Sequence, residues 1–255
     1  MKLIYIKHGR QFLIISLVLV IVMMLAVVSM VKDHLGRAQE TLLPIYGTDD
    51  DNMRISLTIN CAWGADDIPE ILDILDREQV KATFFVLGIW AEKNPEMLKL
   101  IHDRGHEIGN HSYSHKLPSR ISVKQMEEEI DKANDAIEKI VGFRPLLYRA
   151  PSGDHTEELL TLTQRKGLYT IKWTVDSIDW KDSMTAQNII DRVTGRTRSG
   201  SILLFHNDTK HTKDVLPVII KHLKNEGYDF VKVSELIYKT DYYIDHQGIQ
   251  RGKRG

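Results

Sequence analysis

Hydrophobic positions along the chain fall into three regimes. From Phe12 to Val31 they form one block, FLIISLVLVIVMMLAVVSMV, in which only Ser16 and Ser29 are polar. Twenty helical residues rise about 30 Å, the thickness of a bilayer core. Lys2, Lys7 and Arg10 precede the block and favour a cytoplasmic N-terminus. A cleaved signal peptide would have a shorter apolar core and an A-x-A-like end, and Val27-Val28-Ser29 is a poor cleavage site. The block therefore predicts an uncleaved single-pass anchor over 12–31, with 1–11 cytoplasmic and the rest of the chain extracytoplasmic. Residues 32–52 are polar and mixed, carry Pro44, Gly47 and Asp49-Asp50-Asp51, and read as a linker.

From Met53 onward, short apolar runs alternate with segments of helical periodicity. Strands are predicted at 55–59, 82–87, 107–109, 146–149, 169–175, 201–205 and 230–233. Helices are predicted at 68–77, where Ile68, Ile71, Leu72 and Leu75 share one face, and at 94–104, 122–141, 156–166, 185–198 and 212–225. Repeated strand–helix alternation predicts an α/β fold with a parallel sheet. About seven strands with helices outside suggest a distorted (β/α) barrel over 53–240, followed by a polar tail at 241–255.

Composition narrows the class. With 42% hydrophobic residues, 27% charged residues and a net charge of −1, the chain is neither disordered nor electrostatically suited to nucleic acid. A single cysteine, Cys61, excludes an internal disulfide framework and a multi-cysteine metal site.

The unusual polar clusters follow the predicted strands directly. They are Asn60-Cys61-Ala62-Trp63-Gly64-Ala65-Asp66-Asp67, Asn110-His111-Ser112-Tyr113-Ser114-His115, Arg149-Ala150-Pro151-Ser152-Gly153-Asp154, Asp176-Ser177-Ile178-Asp179-Trp180 and His206-Asn207-Asp208. In a β/α barrel these positions share the C-terminal rim, where active sites are built. His111 and His115 are four residues apart, so on a helical turn both rings would reach one ion. With a carboxylate they would suit zinc or another first-row ion and leave positions open for water and substrate.

The segments NHSYSH, RAPSGD, TVDSIDW and LLFHN, supported by VKATFFVLG and GHEIGNHS, make residues 53 to about 238 resemble the polysaccharide deacetylases, the NodB-homology or carbohydrate esterase family four group. The apolar block and the ending VSELIYKTDYYIDHQG resemble the membrane-anchored, sporulation-type members of Gram-positive bacteria. The resemblance implies removal of N-acetyl groups from amino sugars of cell-wall glycan, peptidoglycan or chitin-like, with one divalent metal ion, zinc or cobalt. It implies that His111 and His115 bind the metal, that Arg149 orients the catalytic base, and that Asp179 tunes His206, the acid that protonates the leaving amine. Leu204, Trp180 and Pro151 would contact the substrate.

The first motif departs from the family. Its usual Thr-Phe-Asp-Asp-Gly is here Thr58-Ile59-Asn60-Cys61-Ala62. Asn60 stands where the base belongs, and a carboxamide cannot take a proton near neutral pH. Cys61 stands where a metal carboxylate belongs; it is either a thiolate ligand or a small buried strand-end residue. Asp66 is the preferred replacement ligand. Asp67, with Glu70 three residues on and Pro69 between, reads as a helix cap, with metal binding as its alternative. Asp66, Asp67 and Asp154 are the candidate bases, with a metal-bound hydroxide acting alone as the alternative. The rival readings are a non-catalytic glycan-binding relative and a metal-dependent C–N hydrolase of a small molecule.

Overall fold

The computed structural model describes residues 42–253, together with residue 17 and residues 19–25. Most of the predicted anchor lies outside these residues. Its described part is helical, and no helix among the described residues is long and apolar enough to cross a membrane.

In chain order the main unit comprises β1 (Gly47–Thr48), β2 (Arg54–Cys61), α1 (Ile68–Arg77), β3 (Thr83–Val86), α2 (Gly88–Lys93), α3 (Pro95–Asp103), β4 (Glu107–Asn110), α4 (Val123–Val141), β5 (Leu147–Tyr148), α5 (Glu157–Arg165), β6 (Tyr169–Thr170), β7 (Val175–Asp176), α6 (Ala186–Arg196), β8 (Ile202–His206), α7 (Thr212–Asn225), β9 (Asp229–Phe230), α8 (Val233–Leu236), β10 (Tyr242–Ile244) and β11 (Ile249–Gly252). Seven strands pair in the order β6-β5-β4-β3-β2-β8-β7, and β9 joins the first residues of β2; every pairing is parallel.

The sheet curls into a half-barrel. The run predicted as one strand over 169–175 is in fact two. β6 and β7 are the opposite edges of the sheet, and residues 171–174 carry the chain between them. The seam is covered by part of the predicted linker: Ile45 bridges Ile171 in parallel, and Gly47 bridges Ser201. Ile45 is buried in the core, so the structural unit begins at Leu42 rather than at residue 53. The predicted polar tail is likewise structured, since β10 and β11 form a small sheet with β1. Helix α2 follows β3 directly without a side-chain cap, which is why the sequence pattern misses it. Helix α4 matches its prediction, opening on a Ser122–Gln125 capping box and ending at Gly142 in the left-handed conformation.

Alternation along β2 sorts the interior. Ile55, Leu57, Ile59 and Cys61 pack in the largest core cluster with residues of α1 and α7. Ser56, Thr58 and Asn60 project to the other face. There Ile45, Phe85, Leu147, Ile171 and Ile202 fill the barrel, and Val233 and Leu236 of α8 close its N-terminal mouth.

His106, just before β4, is buried beside Phe84, and its Nδ1 accepts the Ala82 N–H. Burial, and then the nearby Lys81 charge, lower its pKa from 6.5 to about 4. The unfolded chain therefore takes up this proton first as the pH falls. The native state should lose about 3 kcal/mol of stability through this residue between pH 6.5 and pH 4. Urea unfolding of wild type and His106→Gln across that window should show a shallower pH dependence in the variant; parallel curves would contradict it.

Candidate functional site

The five polar clusters meet at the C-terminal rim around one cavity of about 490 Å³, lined among others by Asn60, Trp63, His111, His115, Asp179, Trp180, Leu204, His206 and Asp208. Of the eight non-glycine residues with positive φ among the described residues, Ser112, His115, Ser152, Ile178 and Asp208 lie in these rim loops. Such backbone costs on the order of 1–3 kcal/mol per residue and persists only where the surroundings enforce it.

His111 and His115 do not sit on a helical turn. An irregular loop with Ser112 and His115 in the left-handed region brings their rings to 5.2 Å. Helix α4 fixes that loop. The buried Glu129 carboxylate accepts from Ser112 Oγ at 2.9 Å, Ser114 N at 2.7 Å and Ser114 Oγ at 2.7 Å, while Asn110 Nδ2 donates to Asn134. His111 Nδ1 donates to the Arg149 carbonyl at 2.8 Å, which leaves Nε2 with the lone pair. Burial pushes His111 well below the usual histidine range, against the pull of that carbonyl, and burial with the nearby His206 lowers His115. Both rings are therefore neutral near pH 7.

Across the cavity, His206 ends β8. Its Nδ1 lies 2.8 Å from Asp179 Oδ1, and its backbone N–H donates to Asp179 Oδ2 at 2.8 Å. Thr212 Oγ1 donates to the same oxygen at 2.6 Å. The buried carboxylate thus orients the ring and leaves Nε2 for the cavity. Leu204, two residues earlier on the same strand face, lines the wall, and Trp180 stands 57% exposed at the edge.

Arg149 is fully buried beneath the cavity. Its Nη1 donates to Thr58 Oγ1 at 2.8 Å and Asn60 Oδ1 at 3.0 Å, its Nη2 donates to the Lys172 carbonyl, and its guanidinium lies 3.9 Å over the Phe85 ring. Nε has no hydrogen-bond partner, and no carboxylate among the described residues forms an ion pair with the group. Burial lowers Arg149 to about 9, with Asp176 opposing, which leaves it charged at neutral pH. Cys61 points away, into the core beneath α1. Burial, followed by the charge of Asp67, raises its thiol well above the usual range, so it is the small buried residue and not a thiolate ligand.

Four sequence expectations need correction. Asp66 is exposed in the turn before α1 and does not line the cavity. Asp67 makes no side-chain cap to α1. Its Oδ2 instead accepts the Asp208 N–H at 2.7 Å and its Oδ1 accepts from Asn207 Nδ2 at 3.3 Å, which ties the loop after β2 to the loop after β8. Asp154 accepts the Ser119 N–H and also stays off the cavity. Pro151 is buried, and Ser152, turned out by its left-handed backbone, lines the cavity in its place. The carboxylates that do line it are Asp176, Asp179, Asp182 and Asp208. Asp208 and Trp63 were visible in strand-end clusters, but nothing in their spacing assigned them a role.

The implied metal can be tested against these donors. Two neutral imidazoles are available, but no group of three His, Cys, Asp or Glu side chains able to hold an ion occurs among the described residues. Zinc sites use at least three protein ligands. The donor set does not fit the implied ion.

The profile of the polysaccharide deacetylase family matches residues 33–171. The chain is 36% identical over 198 residues to the uncharacterized protein YlxY of Bacillus subtilis, covering 77% of this chain and 61% of YlxY. It is 32% identical over 190 residues to the peptidoglycan-N-acetylmuramic acid deacetylase PdaA of Bacillus subtilis, covering 73% and 72% of the two chains. Among solved structures, wild-type BA3943, a CE4 family pseudoenzyme from Bacillus anthracis, superposes with a TM-score of 0.74 at 32% identity, covering 82% of this chain and 73% of that one. A BA3943 mutant with restored enzymatic activity superposes at 0.73 with 35% identity, covering 76% and 71%.

The two aspartates should separate cleanly. Asp67→Ala removes two acceptors from a partly buried network and should cost about 1–3 kcal/mol. Asp66→Ala should stay within about 0.5 kcal/mol of wild type. Denaturant unfolding of both variants checks this, and equal effects would reject the clamp.

Proposed function

The chain belongs to the polysaccharide deacetylase family, and on that premise we propose that its rim cavity takes an N-acetylated amino sugar of cell-wall glycan, peptidoglycan foremost, and removes the acetyl group slowly. The relatives' action on peptidoglycan supports the substrate class. The observation that carries the reading is the His206–Asp179 pair facing His111 and His115 across one cavity. Asp179 holds His206 through Nδ1 and aims Nε2 at the cavity, so that the doubly protonated ring can pass its Nε2 proton to the departing amine. Leu204 offers an apolar wall to the acetyl methyl, and Trp180 borders the sugar.

The water-activating side is the weak half. Asn60 accepts from Arg149 but cannot take a proton, and the donors for an ion stop at two imidazoles. These same observations favour a second reading, in which the domain binds glycan without turnover.

Acetate release by the full chain from N-acetylated glycan fragments distinguishes the readings. General-base catalysis is typically worth about 10²–10⁴-fold. Asn60→Asp places a carboxylate beside Arg149, whose charge keeps it ionised, and should raise turnover at least about tenfold above a slow wild type. Glycan binding without acetate from either form supports the second reading. No glycan binding by either form rejects both.

We propose further that residues 12–31 anchor the protein as a single-pass, sporulation-type member with the domain outside the cell. The uninterrupted apolar block supports this. The protein should require detergent for extraction and retain an N-terminus before Phe12; N-terminal sequencing that starts near Met30 would reject it.

A further inference from the structure

A separate cavity of about 410 Å³ opens at the seam of the half-barrel. Its walls include Tyr46, Trp173, Asp176, Arg192, Arg196 and Gln247. Trp173 and Asp176 also line the rim cavity, so the two spaces share a wall, whereas Arg192 and Arg196 line the seam cavity and not the rim cavity. The shared wall is fixed from behind: a Cβ at Gly153, where φ is positive, would lie 2.7 Å from the Trp173 ring.

The charge here is out of balance. Arg192 and Arg196 are four residues apart on α6, so two like charges stand on one helix face, an arrangement that costs a helix stability. Neither is relieved by an ion pair among the described residues. Asp191, the acidic neighbour on the same helix, accepts from Gln187 instead. Half-buried Arg192 spends its Nε on the Asp176 carbonyl at 2.6 Å, which fixes the guanidinium plane at the cavity. Arg196 is exposed, and its side chain makes no hydrogen bond among the described residues. Lys172 adds a third cation behind the aromatic wall, with Nζ 4.8 Å from the Tyr46 ring centroid and 5.6 Å from that of Trp173. The opposing charge in the lining is Asp176, whose Oδ1 accepts the Ile178 N–H at 2.8 Å. The lining therefore keeps a positive excess, in the form of planar forks that match a carboxylate.

We propose that the seam cavity is an anion subsite that takes a carboxylate borne by the glycan, so that the protein selects acid-substituted over neutral amino sugars. A free small anion would gain little from two guanidiniums open to water and salt. An acid tethered to a sugar already seated in the rim cavity arrives at high effective concentration, and the shared wall makes that tether short. The inference rests on the glycan reading above and adds a charge requirement to it.

The test is binding to the full-length protein of three tetramers of N-acetylated amino sugars. One is neutral, one carries lactyl carboxylates on alternate sugars, and the third is the methyl ester of the second, which keeps the shape and removes the charge. Wild type should bind the acid at least about tenfold more tightly than the ester at low salt, and the gap should close as salt rises. Arg196→Ala should weaken the acid about threefold, the double variant Arg192→Gln/Arg196→Ala should abolish the preference, and Arg196→Lys should keep most of it. Ester affinity should be the same in all forms, which also checks that the variants are folded. Equal binding of acid and ester by wild type overturns the subsite and leaves the glycan reading standing. An acid preference that survives in the double variant overturns the assignment to these arginines. Failure of wild type to bind any of the three overturns the glycan reading along with it.

Discussion

The site is organised by one buried positive charge that makes no ion pair among the described residues. Arg149 lies in the barrel interior, where an isolated charge is costly unless hydrogen bonds and polarisable groups surround it. Its partners come from separate elements: Thr58 and Asn60 of β2, the Lys172 carbonyl at the seam, and the ring of Phe85 in β3. Its backbone carbonyl also receives His111 Nδ1. One residue thus stitches the seam, the central strand and the histidine loop together. Asn60 serves this arrangement as a neutral acceptor, and so its structural job and its chemical silence come from the same carboxamide.

A second lock holds the opposite rim. Asp67, Gly64, Asn207 and Asp208 join the loop after β2 to the loop after β8, next to the His206–Asp179 pair. The two locks differ in what they position. The first sets a carboxamide, Asn60, against the interior cation. The second sets an acidic and aromatic rim around the mouth of the cavity. The His206–Asp179 side of the site is fully supported by neighbours, whereas the Asn60 side presents a carboxamide, and no group of three His, Cys, Asp or Glu side chains able to hold an ion occurs among the described residues.

Much of this was legible in the chain. The rim location of all five polar clusters follows from strand–helix alternation, and helix α4 announces both ends through Ser122 and Gly142. Asn60 beside Arg149 follows from the resemblance to the family's first and third motifs. What could not be read depends on contacts distant in sequence. Asp67 looks like a cap because Glu70 follows it, but its partners lie about 140 residues away, at Asn207 and Asp208. The break at 171–174 is invisible because an apolar run does not say which sheet edge it joins. The histidine spacing suits a helix equally well, and only the hold of Glu129 on Ser112 and Ser114 selects the loop.

The split between the two halves has a kinetic meaning. Protonation of the leaving amine helps only after water has added to the acetyl carbon. On the reading proposed above, His206 acts only after that addition, so it does not make up for a carboxamide in the base position. On the same reading, contacts from Leu204, Trp180 and the cavity walls would hold the ground state and the transition state alike, and uniform binding of that kind raises occupancy without raising turnover. A site that keeps these contacts and loses water activation is a good holder of glycan and a poor cutter of its amides. On the proposed reading the two behaviours differ by one side chain beside Arg149, because that guanidinium would keep a carboxylate at position 60 ionised and within reach of the same cavity.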